Sequence, residues 1–448
     1  MCADQRRVCG AFAVCQDSPA GTACVCLPGY RDDGKSCTPT AALPPPIALD
    51  KIPSGEGCWY ASLNRSAGSA AGKSFVLAAA HRYCANRVDR VLSYSSTDGA
   101  QWSVETVFTN DYAAAPGEGP RAVGIAGMLS AAVDGDGVIH AMFENREASS
   151  FSSPGQGYHG WRAPEGWSVT PDAIDDGAVQ ANEMNHHGTG LSGLTLSLAF
   201  QSASNRLHVI GADQARFATR WNVLEASAAA PWVFSQADAI ATVANGTPDH
   251  RAVASADQDF DAQLGVQAWL DKSQCSIAGR EWAAGRFADV AELSPLGFPA
   301  CTSDASADYG FDADLQVLFR AGELHLFVFA RAATGSGDDA PRTLIWLSRI
   351  DGSWRRASAD WTGFTLQRAF VTGDGRLAIL RYDARNRGLE AYWPDSAKAS
   401  PLGTSAFPLV QLDLPRRAPG LVVVVEAGEF GQRLGVSALH LELVPPGG

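Results

Sequence analysis

The sequence predicts an all-β chain, a seven-bladed β-propeller with a six-bladed ring as the alternative, preceded by a small disulfide-rich module. Three observations predict it. A tight polar turn followed by a tryptophan recurs as Ser96-Thr97-Asp98-Gly99-Ala100-Gln101-Trp102, Pro164-Glu165-Gly166-Trp167, Ala230-Pro231-Trp232, Gly279-Arg280-Glu281-Trp282 and Asp351-Gly352-Ser353-Trp354. The tryptophans stand 65, 65, 50 and 72 residues apart (102 to 167, to 232, to 282, to 354). A unit of about 60 residues made of short strands is the mark of sheets repeated around an axis. Second, apolar runs pair across Asp-Gly and Gly-Asp turns, which supply the positive φ that tight hairpins need; about seven such hairpins give about 57 residues per blade. Third, no long amphipathic helical pattern interrupts them.

The chain opens with Cys2, Cys9, Cys15, Cys24, Cys26 and Cys37. Six cysteines admit 15 pairings by arithmetic alone. The run Cys24-Val25-Cys26-Leu27-Pro28-Gly29-Tyr30 resembles the Cys-x-Cys-x-x-Gly-aromatic hallmark of EGF-like modules. The resemblance implies Cys2–Cys15, Cys9–Cys24 and Cys26–Cys37 bridges over residues 1–38, and a role as rigid spacer or partner-binding unit. So small a module buries too little apolar surface to stand without such bridges. Calcium-binding members carry an acidic pair before the first cysteine and an aromatic two residues before Cys-x-Cys; here Met1 and Thr22 occupy those places. The other four of the ten cysteines suggest the pairs Cys58–Cys84 and Cys275–Cys301. A disulfide framework persists in an oxidising compartment, so a secreted or cell-surface location is expected. Met1 leads straight into Cys2 without a charged n-region or an apolar h-region, which reads as a processed or trimmed chain. Two sequons, Asn64-Arg65-Ser66 and Asn245-Gly246-Thr247, bear on a glycosylating host.

Residues 39–56, with Pro44-Pro45-Pro46, read as a stiff spacer of polyproline II type. From there the propeller is expected over 57–446. Its hairpins are expected at 75–81 with 91–95, 129–133 with 138–143, 194–200 with 207–210, 315–319 with 324–329, 370–372 with 377–380, and 421–425 with 434–443, with a strand at 263–270 between them. The last blade is expected to borrow Trp59-Tyr60-Ala61-Ser62-Leu63, with Cys58–Cys84 stapling the seam, because closure removes exposed sheet edges. The turn Ser96-x-Asp98-Gly99-x-x-Trp102 resembles the Asp-box of BNR-repeat, sialidase-type propellers, one residue short between Asp and Gly. In that family the motif is a structural turn. The arginine triad and tyrosine nucleophile of a sialidase find no match here.

A net charge of −13 argues against a partner held through phosphates. The longest apolar runs, such as Leu421-Val422-Val423-Val424-Val425, fall far short of the roughly 20 residues that cross a bilayer. No phosphate loop, nucleophile elbow, His-Glu-x-x-His or Cys-x-x-Cys metal pair is present.

Candidate site residues lie in long polar loops that a propeller would gather at its mouth. One carries Tyr112 and Arg121, the next Asn185, His186 and His187, a third Asp249, His250 and Arg251, and a fourth Asp308 and Tyr309. His187, His250, Arg251 and Tyr309 are the catalytic candidates: arginine to neutralise a uronate carboxylate, histidine to take the α-proton, tyrosine to protonate the leaving oxygen. Asn185, His186, Asp249, Asp308, Arg121 and Tyr112 are the ligand-binding candidates. The alternating acids Asp257, Asp259 and Asp261, like Asp312 and Asp314, offer hard oxygens for calcium. His140, His208, His325 and His440 read as satisfied interior or edge residues, and Arg416-Arg417 as a solvated loop. With every familiar catalytic signature missing, the expectation is a secreted or surface binding or adhesion protein whose mouth recognises a glycan or protein. The alternative is a carbohydrate-active enzyme, polysaccharide lyase or glycosidase, at the same mouth.

Overall fold

The computed structural model describes residues 13–18, 21–26, 30–32, 37–39, 47–51, 59–70, 73–83, 88–98, 100–111, 125–146, 155–174, 196–213, 220–234, 238–244, 256–261, 263–271, 276–290, 293, 313–331, 342–405, 408–417, 421–429 and 432–441. Among them the only regular element that is not a strand is a single 3-10 turn, Pro394–Ser396. The chain is all-β, and many of its strands fall into four-stranded antiparallel sheets.

The innermost strand of each sheet is numbered in chain order: β1 (Trp59–Ala70), β2 (Ile125–Val133), β3 (Leu196–Gln201), β4 (Ala256–Phe260), β5 (Ala313–Arg320), β6 (Phe364–Val371) and β7 (Leu409–Asp413). Each sheet then proceeds outward along the chain. From β5 the order is Glu323–Arg331, Arg342–Ile350 and Ser353–Asp360, with tight turns joining the first pair of strands and the last. The Ala321-Gly322 and Asp351-Gly352 turns have φ of 51°, 84°, 50° and 77°, the two consecutive left-handed residues that a type I′ hairpin requires. The inner strands neighbour one another in cyclic order, β7 returning to β1. This radial arrangement is a β-propeller.

Apolar side chains of facing sheets fill the wedges. Val266, Ala268 and Leu270 meet Leu315, Val317 and Phe319, and Leu324, Leu326 and Val328 meet Ile345 and Leu347 in one buried cluster. Each such side chain contributes about 1.5–3 kcal/mol when fully buried.

Ring closure differs from the sequence expectation. The sheet begun by β7 continues through Leu421–Glu429 and Gln432–Leu441 and is completed by Ile47–Lys51, from within the expected spacer. Trp59-Leu63 opens β1 instead and meets Gln432–Leu441 through one pair, Tyr60 opposite Arg433. The earlier segment reaches the outer edge because β1 is already committed to the axis and to its own partner, Lys73–Tyr83. In the N-terminal region two hairpins are described, Ala13–Ser18 with Gly21–Cys26 and Tyr30–Asp32 with Cys37–Pro39. The cysteine pairings lie outside the described side chains.

The turn-tryptophan series is partly regular. Trp167 and Trp354 are the second residues of the outer strands Gly166–Ile174 and Ser353–Asp360, and Trp102 directly precedes Ser103–Asp111. Trp282 stands before its turn, on Ser276–Ala283, and the aromatic that follows the turn is Phe287. These aromatics serve an arginine on the preceding strand. Arg280 lies 4.7 Å above Phe287 and Arg349 5.5 Å above Trp354. These arginines pair with a glutamate of the preceding sheet, Arg349 with Glu281 and Arg280 with Glu225 at 3.9 Å, and in the same way Glu105 accepts from Arg162 Nε at 2.7 Å and from Trp167 Nε1 at 3.2 Å. The recurrence thus marks contacts between neighbouring sheets.

Candidate functional site

Four connections into the inner strands are long: 112–124 into β2, 175–195 into β3, 245–255 into β4 and 291–312 into β5. Those into β6 and β7 take only 361–363 and 405–408. Tyr112, Arg121, Asn185, His186, His187, Asp249, His250, Arg251, Asp308 and Tyr309 all fall in the long connections and lie outside the described residues. The strands that receive them are described, and they run parallel. Leu198 N donates to Ser130 Oγ at 2.9 Å and Ser197 Oγ to Asp257 Oδ1 at 2.9 Å. Val317 N donates to Asp257 Oδ2 at 2.9 Å, Phe319 N to Asp259 Oδ2 at 2.7 Å and Ala369 N to Gln316 Oε1 at 2.7 Å. The two bonds from Asp257 and Asp259 advance in step along β5, so β4 and β5 share one direction, and because each sheet runs up and down outward from its innermost strand, the entry points of β2 to β6 share one rim.

The same bonds explain the alternating acids. Adjacent inner strands belong to different sheets, so their facing N–H groups have no ladder partner and require acceptors. A period of two puts Asp257 and Asp259 on one face of β4, where each caps an amide of β5. Asp261 closes its own turn, accepting from Gln263 N at 2.8 Å and Leu264 N at 2.7 Å. The three carboxylates are therefore engaged separately rather than gathered around one point, and no group of three or more metal-ligating side chains occurs among the described residues. The calcium expectation finds no support in this geometry.

Arg416 and Arg417, expected as a solvated loop, are corrected by the structure. Val371 N donates to Arg416 O at 2.8 Å, and Arg417 pairs with Val371 as an isolated parallel bridge at the end of β6. From there the two side chains reach to β4 and β5. Arg416 binds the Asp257 carboxylate, the Gln258 carbonyl and, at 3.3 Å, the Val317 carbonyl. Arg417 takes both oxygens of Asp259, one of them at 2.8 Å, and the Phe319 carbonyl at 3.1 Å. Burial alone would lower the Arg416 pKa, but the charges of Asp257 and Asp259 carry it above its ordinary value. The bidentate fork of Arg417 is the geometry that holds a carboxylate most firmly. Further toward the rim, Arg368 of β6 lies between Asp314 of β5, at 3.3 Å, and Asp413 of β7, at 3.5 Å. Against the lowering effect of burial, Asp314, Asp413 and Asp257 raise the Arg368 pKa. Sequence reading passed over Arg368; its signal was a charged residue within an innermost strand, Phe364–Val371, that is otherwise largely apolar.

The strand histidines are interior, as expected for the three whose side chains are described. His140 Nε2 meets Asp134 Oδ2 at 3.1 Å, its Nδ1 meets His159 Nε2 at 3.1 Å, and both rings are fully buried. His208 lies between Gln201 and Glu225, and His325 Nδ1 accepts from Trp346 Nε1 at 3.2 Å.

No family model and no curated protein sequence matches the chain. Solved structures with a similar fold include the polysaccharide lyase Uly1, with a TM-score of 0.52 and 10% identity over 89% of this chain and 99% of that one. An α-L-arabinanase of Penicillium chrysogenum complexed with arabinobiose gives a TM-score of 0.48 and 11% identity over 70% of this chain and 92% of that one. The NanB sialidase of Streptococcus pneumoniae gives 0.41 and 12% over 89% and 71%. At such identities the likeness is one of fold, and the lyase carries it. The expectation of a binding or adhesion protein is corrected here, since the neighbour above a TM-score of 0.5 is a polysaccharide lyase, which favours the carbohydrate-active alternative.

Proposed function

We propose that the chain is a carbohydrate-active enzyme, a polysaccharide lyase acting on a uronate-bearing polymer at the mouth of a seven-bladed propeller. The observation that carries this reading is the delivery of 175–195, 245–255 and 291–312 into β3, β4 and β5, three consecutive parallel strands around the axis. On this reading His187, His250, Arg251 and Tyr309, which those connections carry, act together on one sugar. A polysaccharide lyase whose whole length aligns with this chain supports the same reading.

The chemistry is a β-elimination. Arg251 neutralises the uronate carboxylate and so acidifies the carbon beside it. His187 or His250 takes that carbon's proton, the electron pair forms a carbon–carbon double bond, and the bond to the glycosidic oxygen breaks. Tyr309 gives its proton to that oxygen, and the histidine proton returns to the tyrosine through solvent. Arg368, Arg416 and Arg417 are each paired with carboxylates, which leaves Arg251 and Arg121 as the candidates for the carboxylate. Asn185, His186, Asp249, Asp308 and Tyr112 would contact the flanking sugars.

Residues 1–38 form an EGF-like module on this reading, 39–56 a spacer that ends in the ring-closing strand, and 57–446 the propeller, in a secreted or surface protein. The test is incubation with a panel of uronate polysaccharides while following ultraviolet absorbance and new reducing ends. Absorbance with reducing ends is expected. Reducing ends without absorbance would make the enzyme a hydrolase, and neither signal on any polymer would overturn the reading.

A further inference from the structure

We propose that Arg368, bracketed by Asp314 and Asp413, is a substrate-contacting floor of the mouth that binds vicinal hydroxyls of the saccharide; this rests on the carbohydrate-active reading above. Three arginines lie along the axis, each tied to carboxylates. Arg417 and Arg416 bridge to β5 at Phe319 and Val317, toward the end of that strand. Arg368 bridges to Asp314, its second residue, directly after the connection that carries Asp308 and Tyr309. Of the three, Arg368 therefore stands closest to the rim.

Exposure of the carboxylates separates the levels. Those under Arg416 and Arg417 are sealed, with side chains 8% and 6% exposed, while the two arginines themselves keep 36% and 45%. At the upper level the side chains of Arg368, Asp314 and Asp413 retain 37%, 36% and 18%. All three sit on innermost strands, so the surface they keep faces the axial opening. The connections into β6 and β7, 361–363 and 405–408, are also short, and on this proposal the polymer reaches the floor from their side.

The hydrogen bonds indicate what the floor can take. Arg368 Nη1 donates to Asp314 at 3.3 Å and to the Gln367 carbonyl at 3.1 Å, and Nε faces Asp413. Nη2 has no hydrogen bond among the described residues, and it is the donor left to a ligand. Arg416 and Arg417, by contrast, have both terminal nitrogens engaged. The carboxylates of Asp314 and Asp413 disfavour an anion beside them, and Asp314 Oδ2 also accepts from Gln316 Nε2 at 2.8 Å. The triad offers one donor flanked by acceptors, the complement of neighbouring sugar hydroxyls that each accept and donate. The uronate carboxylate is then handled by the loop arginines, and the floor reads hydroxyl configuration.

Two variants test this, Arg368→Met, which keeps the stem and loses the donors, and Arg368→Lys, which keeps the charge and loses the fork. On the polymer that the wild type cleaves, Arg368→Met is expected to raise KM by about tenfold or more with kcat nearly unchanged, and Arg368→Lys to fall between. A purely structural role would lower the melting temperature and kcat together and leave KM alone, and that pattern overturns the proposal, as does an unchanged KM in both variants. If the wild type cleaves nothing, the functional reading fails by itself. The floor is then read by calorimetric titration of size-fractionated oligosaccharides from the same panel, where equal affinity of wild type and Arg368→Met, or no binding to either, overturns it.

Discussion

His159 gives the sharpest test of how this interior is built. It lies on Gly155–Ala163 with no exposed surface, stacked against His140 and Trp161 at 5.3 Å and edge-on to Phe234 at 5.0 Å. Its Nε2 faces His140, and its Nδ1 has no hydrogen-bond partner among the described residues. Burial, and then the nearby charge of a protonated His140, hold its pKa down at about 3. The unfolded chain takes this proton once the pH drops below about 6.5, while the folded chain refuses it until about 3. Stability from this side chain is therefore intact above pH 6.5 and is lost as the pH falls toward 3, by about 2 kcal/mol between pH 6.5 and 4.5. His159→Gln keeps an amide facing His140 and cannot titrate. Urea unfolding followed by tryptophan fluorescence at several pH values measures both proteins. His325, held down to about 4 by burial and then by Arg320, is present in both and cancels. The stability advantage of wild type over variant is expected to shrink by about 2 kcal/mol over that range. A difference that stays constant with pH refutes the reasoning.

Three further outcomes follow from the axial and inter-sheet contacts. Arg417→Ala leaves Asp259, 4% exposed, without its counter-charge and is expected to cost about 3–5 kcal/mol in denaturant unfolding. Glu105→Ala removes a half-exposed pair with Arg162 and is expected to cost about 1 kcal/mol or less, read by the same unfolding measurement. Gly265→Ala would set a Cβ 2.2 Å from the Phe260 ring, so the melting temperature is expected to fall with a loss of about 1–3 kcal/mol.

Local rules made the strands and hairpins readable from sequence. Asp134-Gly135-Asp136-Gly137 forms a turn because Asp134 Oδ1 accepts from Asp136 N and Val138 N, both at 2.9 Å, and Gly137 supplies a φ of 80°. Such chemistry lies within a few residues and leaves a mark in the sequence. The same locality makes Ser96 and Asp98 a self-contained turn, with Asp98 Oδ1 accepting from Ala100 N and Gln101 N at 2.8 Å. Asp257 and Asp259 looked like calcium ligands because alternation is all the sequence displays, whereas their amide partners are 60 residues away and Arg416 and Arg417 are 159 and 158 residues away. Trp282 was misplaced for a related reason: Phe287 fills the position after the turn, and only the stacked Arg280 reveals which aromatic is equivalent to Trp354. Ring closure by Ile47–Lys51 was hidden because its partner strand, Gln432–Leu441, is near the other end of the chain.

The most direct measurement is the rate of unsaturated-product formation by His187→Ala, His250→Ala, Arg251→Ala and Tyr309→Phe beside the wild type. A mouth site of the kind proposed predicts a fall of about 100-fold to 10,000-fold when the base or the acid is removed, with the melting temperature unchanged. Wild-type rates in all four variants would contradict it.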